Sequence, residues 1–183
     1  MSNKVFIGAS VDGYIADRDG QLDFLQSVPN PEKDGLGFHE FIDSIDALLM
    51  GRNTYETVLG FGGAWPYTKP VFVLSNSLVF LPEHVQGKVE LLSGPIQEVV
   101  EQLNNKGFER LYIDGGKLIQ SFLQEEMIDE IIISQVPMLL GGGVPLFDLL
   151  PRHIELEHIA TKVLLNAIVQ THYKCIKNSA RDE

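Results

Sequence analysis

The chain has 183 residues and 44% apolar content, enough for one continuous core and short of two full-sized domains. Fourteen lysine and arginine residues against 25 aspartate and glutamate leave a net charge of −11, which repels phosphate backbones and anionic headgroups and argues against nucleic-acid and membrane partners. A single cysteine, Cys175, excludes an internal disulfide, and no apolar run nears the ~18 residues of a membrane span, so neither anchor nor export signal is expected and the cytoplasm is the expected compartment.

In chain order, the first predicted element is a strand over Val5–Ile7. Phe38, Phe41, Ile42 and Ile45 then recur at helical spacing, followed by an apolar strand over Ala47–Met50. A third strand covers Val71–Leu74, a helix carries Ile96, Val99, Val100 and Leu103, and a fourth strand covers Leu111–Ile113. A further helix starts near Gly116, buries Leu118, Ile119, Phe122 and Leu123, and ends before Asp129 opens a strand through Ile131–Ile133. Uninterrupted apolar strands alternating with amphipathic helices predict an α/β fold with helices on both faces of a mostly parallel sheet. Beyond them the period changes to two in Ile154–Glu157 and Val169–Cys175, predicting antiparallel strands joined by a bend at Leu164–Ala167. One domain over residues 1–176 and a frayed tail over 177–183 complete the expected organisation.

Several familiar motifs are absent. Gly60-Phe61-Gly62 lacks the last glycine of a dinucleotide fingerprint, and Gly116-Lys117 lacks the flanking residues of a P-loop. Gly8-Ala9-Ser10-Val11-Asp12 ends in aspartate where a serine-hydrolase elbow needs glycine. His39 and Glu40 read as a solvated helix face, so no metal site is expected, and Cys175 reads as a buried structural residue.

Three strand ends remain. Gly51-Arg52-Asn53-Thr54 follows a buried strand with a close turn, a cation, a hydroxyl and the free N–H groups of a new helix, an arrangement that seats an anion or, equally, caps an ordinary helix with Arg52 in a surface ion pair. Asp114-Gly115-Gly116-Lys117 lets a ligand lie against the main chain or forms a tight turn. Val73-Leu74-Ser75-Asn76 is weaker alone, but all three lie at carboxyl ends of strands, where open parallel sheets bind ligands.

These residues, with Ser10–Ala16 after the first strand, Met50–Glu56, Pro70–Ser75, Ile113–Gly116 and Pro137–Phe147, resemble the dihydrofolate reductase-like superfamily. The nearest branch is the reductase domain of the bifunctional riboflavin-biosynthesis deaminase-reductase, and the segments follow the family order over nearly the whole chain. The resemblance implies a three-layer α/β/α fold, a homodimer through the C-terminal strands, and a reductase that transfers hydride from NADPH to a C=N or C=O of a small pterin-like or pyrimidine-derived substrate. The implied specific activity is that of a 5-amino-6-(5-phosphoribosylamino)uracil reductase. A nucleotide-binding module without turnover, or a dihydrofolate reductase, is the alternative.

By the same resemblance Gly51, Arg52, Asn53 and Thr54 hold phosphate, Ser75 and Asn76 flank the adenosine end, and Gly115, Gly116, Lys117, Leu118 and Ile119 bind the pyrophosphate and adjoining ribose. Ala9, Ser10 and Ile15 line the nicotinamide, and a cis peptide joins Gly115 to Gly116. The position of the dihydrofolate reductase carboxylate falls on Gly35, so Asp12 is the first choice for substrate contact or proton supply, with Asp23 and Asp34 as alternatives. The Ala-Asp-Asp-Pro segment of riboflavin reductases is replaced by Thr57–Pro66, where Trp65 stacks on a flat substrate or caps the sheet edge. Phe24 and Phe38 are read as core, with a place facing the same pocket as the alternative.

Overall fold

The computed structural model describes residues 2–177. Its elements are β1 (Ser2–Ser10), β2 (Tyr14–Ala16), α1 (Phe38–Asp43), β3 (Ala47–Gly51), α2 (Arg52–Gly60), β4 (Val71–Leu74), β5 (Val89–Leu92) and α3 (Ile96–Asn105). They continue with β6 (Arg110–Asp114), α4 (Gly116–Gln124), β7 (Glu130–Val136), β8 (Val144–Pro145), β9 (Glu155–Leu164) and β10 (Ile168–Ile176).

Eight strands form one sheet in the order β5-β4-β3-β6-β1-β7-β10-β9. Neighbours pair in parallel from β5 to β7, β10 pairs antiparallel with both β7 and β9, and β2 and β8 form a separate two-stranded ladder. The central strands look uniformly apolar because alternate side chains enter different cores. Leu48, Met50, Val71, Val73 and Tyr112 pack with Phe41 of α1 and Tyr55 of α2, whereas Ala47, Leu49, Phe72, Leu111 and Ile113 pack with Val99, Leu103, Ile119 and Phe122 of α3 and α4. Burying each of the larger aliphatic side chains contributes ~1.5–3 kcal/mol, so these two layers outweigh the intrinsic stability of the short helices. The fold is the three-layer, dihydrofolate reductase-like arrangement expected from the sequence.

Details differ from expectation. The helix over Phe38–Ile45 stops at Asp43, because Ser44 turns the chain and its hydroxyl donates to Phe41 O at 2.7 Å; Ile45 remains fully buried in the same core. β5 was not anticipated because Glu90 interrupts its Val-Glu-Leu-Leu run, nor was the β2/β8 ladder, whose strands of three and two residues are too short to show a period. The Leu164–Ala167 bend is present as a three-residue connection between Leu164 and Ile168, with Leu165 and Asn166 both at positive φ and Ala167 N–H donating to Leu164 O at 3.0 Å. Of the expected tail, Lys177 pairs with Asp129 at 2.6 Å, and 178–183 lie outside the described residues. Cys175 is buried and its thiol is pushed up to about 11 by desolvation, in keeping with a structural role. β9, through which the expected homodimer would pair, forms the outer strand and leaves Leu156, Ile159 and Val163 exposed. No described helix is long and apolar enough to cross a membrane.

One feature of the sheet sets up the site. β1 pairs with β6 only through Ser2, Asn3 and Lys4, although it stays paired with β7 from Lys4 to Ser10. β6 meanwhile follows β3 up to the Met50–Asp114 pair. The two central strands therefore part toward their carboxyl ends, and the β6-facing edge of β1 from Val5 onward has no strand partner.

Candidate active site

The gap between β1 and β6 opens onto a rim formed by the ends of β4, β3, β6 and β1, which are consecutive in the sheet. Three strand spacings of ~4.8 Å make this rim roughly 15 Å wide, suited to an elongated ligand lying across the strands. Most of the expected binding residues meet here. Gly115, at φ +99°, lies so close to Thr54 that a Cβ at that position would overlap Thr54 Oγ1. Gly116 lies beneath Ile15, whose Cδ1 comes within 2.8 Å of where a Gly116 Cβ would be. The peptide between the two glycines is trans, contrary to expectation; the positive φ of Gly115 makes the turn into α4 instead.

Along the rim, Gly51 has open space over its backbone, and Arg52 and Asn53 beside it are exposed. Arg52 donates to Ser77 Oγ at 3.1 Å and stands 3.7 Å from Glu56, a half-exposed pair of little energetic weight. Its guanidinium is thus aimed at the β4 end. Ser75 Oγ accepts from the N–H groups of Ser77 and Leu78 at 3.2 and 3.0 Å, fixing the turn that presents Ser77 and the exposed Asn76. Ser77 was not foreseen as a site residue; the only sign was its place in the Ser-Asn-Ser run two residues beyond Ser75.

Other expected residues are placed differently. Ile119 is fully buried and its N–H donates to Gly115 O at 2.9 Å, so it offers a ligand nothing. Leu118 and Ala9 also turn their side chains into the core, which leaves their main chain as the part that can face a ligand. Lys117 is exposed at the first turn of α4, next to first-turn N–H groups free of the helix ladder.

Asp12 is committed to the Ser10 hydroxyl and two main-chain amides. Its Oδ1 accepts from Ser10 Oγ at 2.6 Å and from Leu140 N–H at 3.0 Å, and its Oδ2 accepts from Gly141 N–H at 2.7 Å. Ser10 Oγ in turn accepts from Tyr14 N–H at 3.0 Å. The Ser10 hydroxyl and the two amides hold the Asp12 carboxyl below its ordinary range, which suits a fixed acceptor and not a proton donor. Asp12 clamps the β1–β2 turn to the loop before β8. Because its folded pKa lies below the ordinary 3.8, this clamp stabilises the fold above that pH and loses its contribution as pH falls through the folded value. Asp12→Ala should therefore lower the melting temperature at neutral pH, and the gap from wild type should close below pH 3.8 in a thermal unfolding series.

The acid nearest the gap is Asp114, named in the glycine motif but given no role from sequence. Tyr112 and Asp114 share one face of β6, and continuing the Lys4–Tyr112 register brings Asp114 level with Phe6 across the gap. The Tyr112 hydroxyl donates to Phe6 O at 2.9 Å, bridging the strands just where they part, and lies against the Asp114 carboxyl. Burial pushes Asp114 up to about 6, against the opposing pull of the Gly115 N–H and the Tyr112 hydroxyl. Tyr67 is also near enough to feel its charge.

Trp65 does not offer a free stacking face. It packs against Tyr67 at 5.5 Å and Tyr55 at 6.1 Å between ring centroids, with Nε1 buried and unpartnered, as is the Tyr55 hydroxyl. Phe24 is buried, and Phe38 packs on Phe6 and Tyr112 as core. Asp34 accepts from Leu36 N–H at 2.7 Å in an exposed loop before α1.

The family model for the RibD C-terminal domain matches residues 4–169. The chain belongs to the RibD C-terminal domain family. Among relatives of this RibD-type chain, the uncharacterized protein YwjB of Bacillus subtilis is 33% identical over 172 residues, covering 92% of this chain and 95% of YwjB. A crystal structure of a riboflavin-biosynthesis candidate from Shewanella sp. PV-4 matches at 48% identity and a TM-score of 0.94, covering 97% of this chain and 100% of the other. Dihydrofolate reductase from Enterococcus faecalis, in a structure complexed with NADP(H), shares the fold at a TM-score of 0.67 with 14% identity over 96% of this chain and 97% of its own.

Proposed function

We propose that this RibD-type chain is an NADPH-dependent reductase acting on a C=N or C=O bond of a pterin-like or pyrimidine-derived heterocycle, of the ribosylaminouracil-reductase type. The observation that carries the reading is the parting of β1 from β6, which places an unpaired strand edge opposite Asp114 and the Gly115–Gly116 turn. The chain fits the cofactor. The Gly115 surface has no room for a side chain, Gly51 leaves its backbone open, and a guanidinium waits at the β4 end of the rim.

In this reading Arg52 and Ser77 bind a phosphate, Thr54 and the Gly115–Gly116 main chain hold the dinucleotide's centre, and Ile15 closes over the turn. When bound, the dihydronicotinamide supplies the hydride. Asp114 supplies the proton to the heteroatom next to the carbon that accepts hydride, and its carboxyl near 6 matches that task at neutral pH. Tyr67, backed by Trp65, shields the carboxyl from bulk water. Asp12 and Ser10 are positioning residues that fix the loop over the gap.

Steady-state NADPH oxidation with a panel of oxidised pterins and aminouracils, including 5-amino-6-(5-phosphoribosylamino)uracil, tests the activity. Turnover with at least one member supports it, and tight cofactor binding without turnover on any member leaves a binding module instead. Arg52→Ala separates the cofactor roles: NADPH affinity should fall by about 10-fold with NADH affinity unchanged, because charge-assisted contacts to the additional phosphate are lost. An equal loss for both cofactors in calorimetric titration contradicts the assignment.

A further inference from the structure

Tyr112 is the side chain that the gap and the acid share. It precedes Asp114 by two residues on one face of β6, and its hydroxyl donates to Phe6 O at 2.9 Å while lying against the Asp114 carboxyl. Packing fixes the ring. Tyr112 is 5% exposed and stands edge-on to Phe41 and Phe38, at 5.0 and 6.3 Å between ring centroids. Only the hydroxyl hydrogen is free to turn.

A phenol has one hydrogen to give, and here it stands between two acceptors whose needs change with the charge on Asp114. While Asp114 is neutral, its carboxyl brings its own proton and the Tyr112 hydrogen stays with Phe6 O. Once Asp114 is ionised, the carboxylate is the better acceptor, because a hydrogen bond to a charged oxygen is about twice as strong as one to a carbonyl. Among the described residues, the Gly115 N–H and the Tyr112 hydroxyl are the groups that draw this carboxyl toward its charged form. Neighbouring charges are occupied elsewhere. Lys4, level with Tyr112 on β1, reaches Glu130 at 3.2 Å, and Glu130 also holds His172 at 2.9 Å. The phenols of Tyr55 and Tyr67 are pushed up by burial and stay neutral, and Met50, beside Asp114 on β3, brings no charge.

We propose that the Tyr112 hydroxyl is a positioning switch: it donates to Phe6 O while Asp114 carries its proton, and it turns to the carboxylate once that proton has been given, freeing the Phe6 carbonyl to hold the reduced product. Reduction of a C=N or C=O leaves a new N–H or O–H on the atom that took the Asp114 proton. The register sets Phe6 level with Asp114 across the gap, so the carbonyl that Tyr112 vacates meets a donor that the substrate lacked. No bond to Tyr112 forms or breaks; its O–H rotates. Substrate and product each find a full set of hydrogen bonds, and neither leaves Phe6 O without a donor. The inference rests on the reductase reading for the identity of the ligand, whereas the response of the hydroxyl to Asp114 needs no ligand.

The test is NMR of the intact chain labelled with ¹³C at the phenylalanine carbonyl and ¹⁵N in isoleucine. Phe-Ile occurs at Phe6-Ile7 and at Phe41-Ile42, which gives one reporting carbonyl and one control within α1. The Phe6 signal should move with pH, with a midpoint of about 6, while the Phe41 signal stays. Asp114→Asn and Tyr112→Phe should each remove the movement, and His172→Gln should leave it, which separates the acid from the histidine. In Tyr112→Phe the fall of kcat with rising pH should lie about one pH unit higher, because the carboxylate has lost a donor. A residue that serves packing alone would not move that midpoint. A Phe6 signal that stays still in the wild type, movement that survives Tyr112→Phe, or an unchanged kcat midpoint overturns the switch while the reductase reading stands. Absence of turnover on every substrate, with the Phe6 response as expected, overturns the reductase reading and leaves the coupling of Tyr112 to Asp114 in place.

Discussion

Gly115→Ala should abolish NADPH binding, with a loss of at least about 30-fold in affinity, and should lower the melting temperature. Two costs combine. At φ +99° any L side chain is strained by ~1–2 kcal/mol. The new methyl would also overlap Thr54 Oγ1, and Thr54 cannot retreat easily because the next residue, Tyr55, is buried to 1% exposure and anchors α2 in the core. Overpacking of this kind costs a further ~1–3 kcal/mol. The double variant Gly115→Ala with Thr54→Ala separates the effects. It should recover part of the melting temperature and none of the affinity, since the methyl still stands on the surface the cofactor needs. Full recovery of affinity in the double variant would show that Gly115 serves packing alone.

Asp114→Asn should lower kcat by about 100-fold, the lower end of what a positioned general acid contributes, with KM little changed. In the wild type the protonated carboxyl carries the reaction, so kcat should fall as pH rises through about 6, and the variant should lose that limb of the profile. The stability effect has the opposite direction. Burial raises the folded pKa from 3.8 to about 6, so the native state prefers the neutral acid, and wild-type stability falls as pH rises from 3.8 through 6. Asparagine removes the cost of an ionised, partly buried carboxylate, and above pH 7 the variant should be more stable by ~1–3 kcal/mol. Lower activity together with higher stability is not what loss of a structural acid produces. Wild-type kcat with an unchanged pH profile would remove Asp114 from the chemistry.

The order of strands and helices was legible because each central strand sits between two apolar layers and each amphipathic helix shows one stripe. Val71–Leu74 became β4 without a shift, and Ile96, Val99, Val100 and Leu103 became the buried side of α3. The same double burial hid the proposed proton donor, Asp114. In Leu111-Tyr112-Ile113-Asp114 both faces of the strand are apolar, so the sequence has no period-two signal to show that Asp114 turns with Tyr112 toward the gap. The gap itself is a property of register: Lys4 pairs with Tyr112 and the strands then part, and no local run of residues encodes that. Asp12 misled for the converse reason. Its place after β1 suggested chemistry, and the amides that occupy it come from Leu140 and Gly141, more than 120 residues away.

The most direct test of the account is a crystal structure of the chain with NADPH. It should show the phosphates at Arg52 and Ser77, the dinucleotide crossing the Gly115–Gly116 turn, and the nicotinamide ring in the gap between β1 and β6 with Asp114 on its substrate side. A dinucleotide seated elsewhere, or a gap closed by side chains in the complex, would contradict it.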